Sequence, residues 1–430
     1  MNKLLRSILP PLISLVIAML GNGFFNTFVS LRMSADGHSP WMIGLLNSSY
    51  YAGLMLGSIY VQKLIARIGH IRTFSMFASL NSFVAVVQAL SINPHTWVIL
   101  RFFSGLCTAG FFIVIESWLL LSTGLKNRGK LLSLYMLTLY MAQGFGQFFL
   151  NFAAIVSLIP FAISILSSSL SVLPVCMMRS SGPMILELTA TNSIQILRKV
   201  PLGPLGCFIG GMITSSFYSL APIFGKQVSL SVFQISQMMG LTILGGLTLQ
   251  WPIGHLSDLF NRKTVLLCVV GALLCITLVL SQSIHFHYYL FLCLMVLFGG
   301  ISFTIYPLSI TLTCDHFSTK NFIGITCTLL IIYGLGSISG PLLIPLFMSW
   351  LGASGFFYFL VLLCICLMML GFLPSVKKGG AVDEEHTDYL PLPAAALAHY
   401  LDPRGDIEDS DFDEEDNLYP LSEEYEEEDD

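Results

Sequence analysis

Charged side chains are scarce in most of this sequence, and acidic ones are the scarcest. Of its 430 residues, 10% are charged and 55% are hydrophobic, whereas soluble domains carry roughly 25% charged residues. The first 376 residues hold five acids against 17 Lys and Arg. A chain with so little charge is not suited to folding in water, so its composition excludes a soluble globular protein.

Motifs for metal binding and for common catalytic chemistry are also missing. The ten cysteines form no C-x-x-C pair, and no H-E-x-x-H, G-x-S-x-G or P-loop sequence occurs. We therefore predict no enzymatic activity, no cofactor, no metal site and no nucleic-acid partner. The alternative enzymatic hypothesis treats His255 and Asp258 as an acid–base pair. Turnover of a lipid or peptide without any gradient would support that alternative.

Long apolar runs are what the sequence does contain. Each is close to the roughly 20 apolar residues that cross a bilayer as a helix, and short polar or Gly/Pro segments separate them. The predicted helices cover residues 8–31, 41–64, 71–91, 95–122, 129–151, 153–174, 202–225, 232–256, 263–283, 285–312, 322–349 and 354–374. We therefore predict an all-α integral membrane protein with twelve transmembrane helices.

The twelve helices fall into two sets of six, separated by a polar segment. Tyr140 in the fifth helix and Tyr333 in the eleventh each precede a Gly/Ser-rich stretch, an internal repeat of the kind found in secondary transporters. The predicted units are an N-terminal six-helix bundle, a cytoplasmic linker, a C-terminal six-helix bundle and a disordered acidic cytoplasmic tail. Their boundaries are 1–175, 176–201, 202–375 and 376–430.

Loop cations predict the orientation, since Lys and Arg concentrate on the cytoplasmic side of membrane proteins. With both termini in the cytoplasm, 16 Lys and Arg up to residue 378 lie on that side, and two, Arg32 and Lys226, lie outside. Residues 377–430 contain 20 acids and three cations, a composition too polar to form a core. We expect a monomer in the lipid bilayer with a solvated tail.

The loop between the eighth and ninth helices carries the clearest motif, Gly254-His-Leu-Ser-Asp258-Leu-Phe-Asn-Arg262-Lys263. It resembles the G-x-x-x-D-[RK]-x-G-[RK]-[RK] loop of the major facilitator superfamily. The resemblance implies that Asp258, Arg262 and Lys263 latch a cytoplasmic gate, because a carboxylate beside paired cations bonds neighbouring helix ends. Asn261 replaces the usual Gly, and Asn also tolerates the left-handed conformation.

The corresponding loop between helices two and three keeps part of this pattern. Arg67, Gly69 and Arg72 supply the cations and the Gly, but Ala66 stands at the acid position and Gln62 at the first Gly. By the resemblance, the first three residues belong to the gate. Ordinary positive-inside anchoring is the alternative for the two arginines.

A second motif, Arg101-Phe-Phe-Ser-Gly105, opens the fourth helix and resembles the R-x-x-x-G motif of the same superfamily. Glu116 lies farther along this helix, roughly 22 Å away. An ionisable side chain inside a span is costly and indicates function. We predict that Arg101 and Glu116 serve proton coupling or substrate binding. The alternative is that each is held by a neighbouring helix for packing.

Polar side chains recur four residues apart in the first, second and fifth predicted helices, so the members of each pair share a helix face. Such a face contacts protein or water rather than lipid. A Tyr-Pro pair marks a point where the tenth helix bends. Two interpretations remain, a solute path or hydrogen bonding between helices. The candidates for the path are Asn22, Asn26, Asn47, Tyr51, Gln143, Gln147 and Tyr306.

Short phrases spread over the predicted helices, among them Glu116-Ser117, Gln250-Trp-Pro-Ile-Gly254 and Tyr306-Pro307, are similar to the YcaD-like branch of bacterial major facilitator proteins. The resemblance covers the twelve helices and excludes the tail. It implies the major facilitator fold and a bacterial cytoplasmic (inner) membrane location, and it leaves the substrate open. The G-x-x-x-G-P signature that drug/proton antiporters carry in helix five is absent here.

The leading hypothesis is a secondary transporter that moves a small solute by alternating access, coupled to protons. Arg101, Arg32 and the amides favour an anionic or hydrogen-bonding solute, such as an organic acid, a sugar conjugate or a metal chelate of the siderophore type. The alternatives are a drug or metabolite exporter of the same fold and a non-transporting receptor or scaffold acting through the tail. Deleting residues 377–430 separates these last two classes, since a transporter would largely keep its flux.

Overall fold

The computed structural model describes residues 2–122, 128–177, 200–282, 287–317 and 322–372. In these ranges the chain forms fourteen α-helices and two short 3-10 helices. In chain order the α-helices are α1 Asn2–Ala35, α2 Pro40–Ile68, α3 His70–Leu90, α4 Pro94–Leu121, α5 Arg128–Gly146, α6 Ile159–Leu170, α7 Val172–Cys176, α8 Leu202–Gln227, α9 Val232–Leu259, α10 Arg262–Ser281, α11 Tyr288–Ser302, α12 Ile305–Cys314, α13 Phe322–Leu351 and α14 Gly355–Phe372. The predicted linker lies almost entirely outside the described residues, and so does the predicted tail.

Nine segments within the described ranges are long and apolar enough to cross a membrane. They are Ile8–Ala35, His70–Leu90, Pro94–Leu120, Ile159–Cys176, Leu202–Gln227, Val232–Leu259, Arg262–Ser281, Tyr288–Cys314 and Gly324–Phe372, the last containing both α13 and α14. Neither α2 nor α5 is among the nine. Polar residues lower the hydropathy of α2, where Asn47, Ser48 and Gln62 are buried against protein. The all-helical membrane architecture predicted from the sequence is confirmed.

Several helix starts are set by local capping. Ser39 precedes α2, and its hydroxyl accepts a hydrogen bond from the Met42 amide, while Pro40 occupies the first turn. Asn93 caps α4 in the same way ahead of a proline. Ser231 and Gln234 form a capping box at the start of α9. Such residues satisfy amide groups that have no partner inside the helix, so these helices begin within two residues of the predicted positions.

The tenth predicted helix, 285–312, is broken into α11 and α12. Pro307 has no amide hydrogen, so it cannot bond the carbonyl of Phe303, four residues earlier. α11 therefore ends at Ser302, and α12 begins at Ile305. The sixth predicted helix, 153–174, starts later than expected. α5 ends in a 3-10 helix at Gln147–Phe152, and α6 begins where Pro160 fits its first turn.

The helices pack as two sets, α1–α7 and α8–α14. Within the first set α2 lies along α4, and α1 lies along α5 and α6. Within the second set α8 packs against α12 and α13, and α9 packs against α11. The two sets meet along α2 and α13, along α5 and α9, and along α1 and α8. These helices therefore enclose the centre of the bundle.

The two ends of the helical bundle are the Asp36 end and the Asp258 end, each called after an acidic residue that lies there. The Asp36 end holds the α1–α2 and α8–α9 connections, and the Asp258 end holds the α2–α3 and α9–α10 connections. Hydrogen bonds join the two sets at the Asp36 end: Ser48 Oγ donates to the Ile338 carbonyl at 2.7 Å, and Asn151 Nδ2 donates to Ser236 Oγ at 2.9 Å. These hydrogen bonds therefore hold the two sets of helices together at the Asp36 end.

Candidate functional site

A cavity of about 160 Å³ lies at the centre of the bundle, between α1, α2, α4 and α5 on one side and α8, α12 and α13 on the other. No charged side chain lines it among the described residues. Four tyrosines of the described ranges lie elsewhere, so most of them gather here. The lining tyrosines are Tyr50, Tyr51, Tyr135, Tyr140, Tyr218, Tyr306 and Tyr333.

Three stacked rings form an aromatic wall of this cavity, made of Tyr140, Tyr218 and Phe303. The Phe303 ring lies between the two tyrosine rings, with centroid distances of 5.9 Å and 6.0 Å and interplanar angles of 17° and 14°. Phe303 occupies the break between α11 and α12 that Pro307 causes. The wall joins the two sets of helices, because Tyr140 belongs to α5 and Tyr218 to α8.

Two amide side chains of the cavity present N–H groups. Asn26 Oδ1 accepts a hydrogen bond from Arg101, and Gln143 Oε1 accepts one from Tyr218 Oη at 3.3 Å. A guanidinium can only donate hydrogen bonds, so the side-chain atom of Asn26 that faces Arg101 is the amide oxygen. Asn26 Nδ2 donates to Tyr50 Oη at 3.5 Å. Because the amide oxygens are occupied, both side chains offer donors to a ligand.

Arg101 is fully buried but does not line the cavity. Its Nη2 donates to Asn26, and its guanidinium carbon lies 4.2 Å from the centre of the Tyr50 ring. Its Nε and Nη1 atoms have no hydrogen-bond partner among the described residues. Gly105 lets α4 approach the Tyr50 backbone, which a Cβ at that position would strike. The R-x-x-x-G motif thus places a cation directly behind two cavity residues.

Glu116 is also buried, with 1% of its surface exposed. It lines a small void between α4 and α5 together with Tyr135. Tyr135 lines the central cavity as well, and Glu116 interacts electrostatically with both Tyr135 and Tyr306. Arg101 and Glu116 therefore stand behind the cavity wall at two different levels of α4, each separated from the cavity by a tyrosine.

The remaining candidates for the substrate path divide into two groups. Tyr51, Gln143 and Tyr306 line the cavity, as does Asn26. The other three are not among its lining residues and bond neighbouring helices or their own. Asn22 Nδ2 donates to Thr108 Oγ1 at 3.1 Å, Asn47 Nδ2 donates to Ser30 Oγ at 3.0 Å, and Gln147 Nε2 donates to the Gly23 carbonyl at 2.7 Å.

The Asp258 loop is organised around Arg262. The guanidinium, of which 4% is exposed, forms ion pairs with Asp315 at 2.5 Å and with Asp258 at 3.3 Å. These contacts tie the end of α9 and the start of α10 to the end of α12. Asn261 has φ −59°, so it does not use the left-handed conformation, and its side chain caps α10 by accepting from the Lys263 and Thr264 amides.

The α2–α3 loop is held differently. Gly69 has φ 81° and ψ 168°, a conformation essentially restricted to glycine. Arg67 and Arg72 are exposed. The first residue of α3, His70, is 1% exposed; its Nε2 lies 3.0 Å from Ser117 Oγ, and its ring lies 5.7 Å from that of Trp118. The structure places no acidic partner for Arg67 or Arg72 among the ion pairs of the described residues.

Sequence reasoning missed several of these residues. Nothing in the sequence indicates that Asp315 pairs with Arg262, because 53 residues separate them. Tyr135, Tyr218 and Phe303 carried no motif. The repeated Tyr ahead of a Gly/Ser-rich stretch was a usable signal, because Tyr140 and Tyr333 both line the cavity.

Comparisons with known proteins agree with this architecture. The sequence profile of the Major Facilitator Superfamily matches residues 12–326. An uncharacterised MFS-type transporter of Yersinia enterocolitica is 27% identical over 381 residues, which cover 88% of this chain and 98% of that protein. The uncharacterised MFS-type transporter YcaD of Escherichia coli strain UMN026 is 27% identical over 343 residues, which cover 79% of this chain and 88% of that protein.

Solved structures share the fold. A variant of the nucleoside transporter NupG has a TM-score of 0.74 at 12% identity, covering 85% of this chain and 99% of that one. The D-xylose-proton symporter has a TM-score of 0.68 at 14% identity, covering 86% and 97%. These likenesses confirm the predicted major facilitator fold.

Proposed function

We propose a transport cycle for a chain that belongs to the Major Facilitator Superfamily and is a membrane transporter, not an enzyme. The protein is a secondary transporter of a small solute. In the proposed cycle, the solute occupies the central cavity, and the two sets of helices rock about it to open the cavity to either side in turn. The cavity between the sets, whose wall presents hydrogen-bond donors and, among the described residues, no charged side chain, is the observation that carries the proposal.

The proposed topology has twelve transmembrane helices in two bundles, 1–175 and 202–375, joined by a cytoplasmic linker at 176–201. The longest of the nine apolar segments contains both α13 and α14 and therefore counts as two spans. Adding α2 and α5 to the resulting ten gives twelve. The exposed cations Lys63, Arg67 and Arg72 lie at the Asp258 end, which favours a cytoplasmic location for that end and for both termini. The bacterial relatives favour the cytoplasmic (inner) membrane.

The proposed substrate is a small organic anion. Asn26 and Gln143 offer N–H groups, and Arg101 lies behind Asn26 and Tyr50 as an uncompensated cation in the described part of the chain. The field of Arg101 favours a negative ligand, and among the described residues no carboxylate lines the cavity to attract a positive one.

Proton coupling is assigned to Glu116. A buried carboxyl group that faces Tyr135, with Tyr135 in turn facing the cavity, is suited to load and release a proton as the solute binds. Replacing it with Gln would keep its shape and remove the titratable proton. We therefore expect Glu116→Gln to abolish accumulation driven by a proton gradient and to leave solute exchange across the membrane largely intact.

The experiment uses proteoliposomes with a small-metabolite extract and mass spectrometry of the solutes that accumulate under a proton gradient. Enrichment of organic anions is the expected result. Asp36→Asn, which neutralises an exposed acid paired with Arg32, is the matched control and should behave as the wild type. Accumulation of cations alone would contradict the proposed substrate class, and unchanged accumulation by Glu116→Gln would contradict the proposed coupling.

A further inference from the structure

We infer that the central cavity selects a single flat ring that carries an anionic group, with the ring against the aromatic wall and the anion toward Asn26 and Gln143. The inference rests on the proposed function and narrows its substrate class. It depends on three features of the cavity, namely the wall, the position of the donors and the volume.

The aromatic wall consists of three rings with a common orientation. Tyr140, Phe303 and Tyr218 are nearly parallel, and all three line the cavity. Aromatic rings in offset stacks attract one another more than their buried area alone explains. A flat ring in the cavity extends this stack, whereas a puckered saturated ring of similar size makes poorer contact with it. The wall therefore favours a ligand with a planar ring over one with a puckered ring.

The hydrogen-bond donors determine which group the ring should carry. Arg101 donates to the oxygen of Asn26, and Tyr218 donates to the oxygen of Gln143. Asn26 Nδ2 uses one N–H at 3.5 Å from Tyr50 Oη, so its second N–H and the N–H groups of Gln143 remain for the ligand. The only other contact of the Gln143 nitrogen given for the described residues is a weak one, 3.9 Å from Met19 Sδ. A carboxylate accepts such donors, and bonds to a charged acceptor are stronger than bonds to a neutral one.

The same arrangement disfavours a cation, although tyrosine-rich sites often bind cations through their ring faces. The Tyr50 ring already has a guanidinium 4.2 Å from its centre. A second cation in the cavity would be repelled by Arg101, and no carboxylate lines the cavity among the described residues to offset that repulsion. Glu116, behind Tyr135, is neutral whenever it carries the proposed coupling proton.

The volume of the cavity suits a ligand with one ring. The cavity of about 160 Å³ is comparable with the apolar cavity of roughly 150 Å³ that accommodates benzene in another protein.

The test measures binding of four probes to the purified full chain in lipid nanodiscs by isothermal titration calorimetry. The probes are benzoate, cyclohexanecarboxylate, benzyl alcohol and benzylammonium. We expect benzoate to bind most tightly, roughly fivefold to tenfold more tightly than cyclohexanecarboxylate. Benzyl alcohol should follow, and benzylammonium should bind least.

Two variants test the contribution of the flat ring and that of the anionic group separately. Phe303→Leu should reduce the preference for benzoate over cyclohexanecarboxylate to less than about threefold. Gln143→Met should weaken both acids by about tenfold and leave their ratio unchanged. Phe103→Leu, an exposed phenylalanine of α4 outside the cavity, is the matched control and should change neither quantity. Phe303→Tyr retains the ring and should retain the preference, which also checks that loss in Phe303→Leu is not misfolding.

Each outcome bears on a different claim. Equal binding of benzoate and cyclohexanecarboxylate would overturn the inference and leave the organic-anion proposal standing. Binding of benzylammonium as tight as that of benzoate would overturn both. Failure of all four probes to bind would also overturn the inference, while the proteoliposome experiment decides the proposed function independently.

Discussion

The α2–α3 and α9–α10 connections occupy matching positions in the two sets of helices, yet they are built from different interactions. Arg262 and His70 are each the first residue of the following helix, and both are nearly buried. Arg262 faces two carboxylates. His70 contacts the Ser117 hydroxyl and the Trp118 ring, and Ala66 stands where Asp258 stands in the other loop.

The two tight connections therefore use different backbone conformations as well as different side-chain contacts. In the Asp258 loop, an aspartate–arginine network fastens three helix ends, and Asn261 caps α10 with an ordinary backbone conformation. In the α2–α3 loop, glycine backbone freedom makes the turn, and uncharged contacts bury the first side chain of α3. The first loop should therefore be sensitive to removal of charge, and the second to changes in backbone and shape.

Arg262→Ala should have the largest effect. It leaves Asp258 and Asp315 without their shared cation, and removing one partner of such a network costs roughly 2–4 kcal/mol when the carboxylates are partly solvated. The measurement is the free energy of unfolding in detergent micelles. Arg72→Ala, an exposed arginine of the other loop, is the control and should change stability by less than about 0.5 kcal/mol. Equal losses in the two variants would show that the loops do not differ in charge dependence.

Gly69→Ala should come second, with a loss of roughly 1–3 kcal/mol, because φ 81° with ψ 168° is unfavourable for any residue with a Cβ. Apart from its two chain neighbours, no described residue has an atom within 4 Å of the added Cβ, so the loss would come from the backbone alone. Asn261→Ala keeps an allowed backbone and loses only its cap, at about 1 kcal/mol. If Gly69→Ala lost less unfolding free energy than Asn261→Ala in the same assay, the proposal that the α2–α3 loop depends on its backbone conformation would be contradicted.

His70→Ala should cost about 1–2 kcal/mol, through its hydrogen bond and its buried volume. Ser117 Oγ also donates to the Val114 carbonyl, so the serine keeps a partner and the loss stays moderate. His70→Gln places an amide nitrogen near the position of Nε2 and should recover part of the stability. Thermal unfolding curves of both variants test this, and an unchanged midpoint for His70→Ala would contradict it.

Ala66→Asp should have the smallest effect, within about 0.5 kcal/mol. It restores the acid of the motif at an exposed position. The cations near it in sequence, Lys63, Arg67 and Arg72, are all solvated, and His70 contacts Ser117. Chemical unfolding of this single variant tests the point. A clear stabilisation would mean that the loop retains the electrostatic latch of its counterpart.

Much of the architecture follows from local sequence. Apolar runs of membrane-spanning length and capping residues such as Ser39, Asn93 and Ser231 predict helices and their starts, because both signals act within a few residues. The break before Pro307 was foreseen only as a bend. Its consequence, that Phe303 reaches the cavity between Tyr140 and Tyr218, depends on helices far apart in the chain.

The candidate site was predicted in part. Asn26, Tyr51, Gln143 and Tyr306 line the cavity, but Asn22, with the same helical spacing as Asn26, bonds Thr108 instead. Helical periodicity specifies a face to within a broad arc, and it does not say which neighbour that face meets. That depends on how the helices pack.

Hydropathy and charge are properties of single residues and short segments, so they suffice to predict that this protein belongs in a membrane, where most of its helices start and which loops carry charge. The pairing of Asp315 with Arg262, the position of Arg101 behind Tyr50 rather than in the cavity, and the convergence of seven tyrosines appear only in the folded protein. Each of these facts depends on contacts between distant segments, and packing in three dimensions is what selects them.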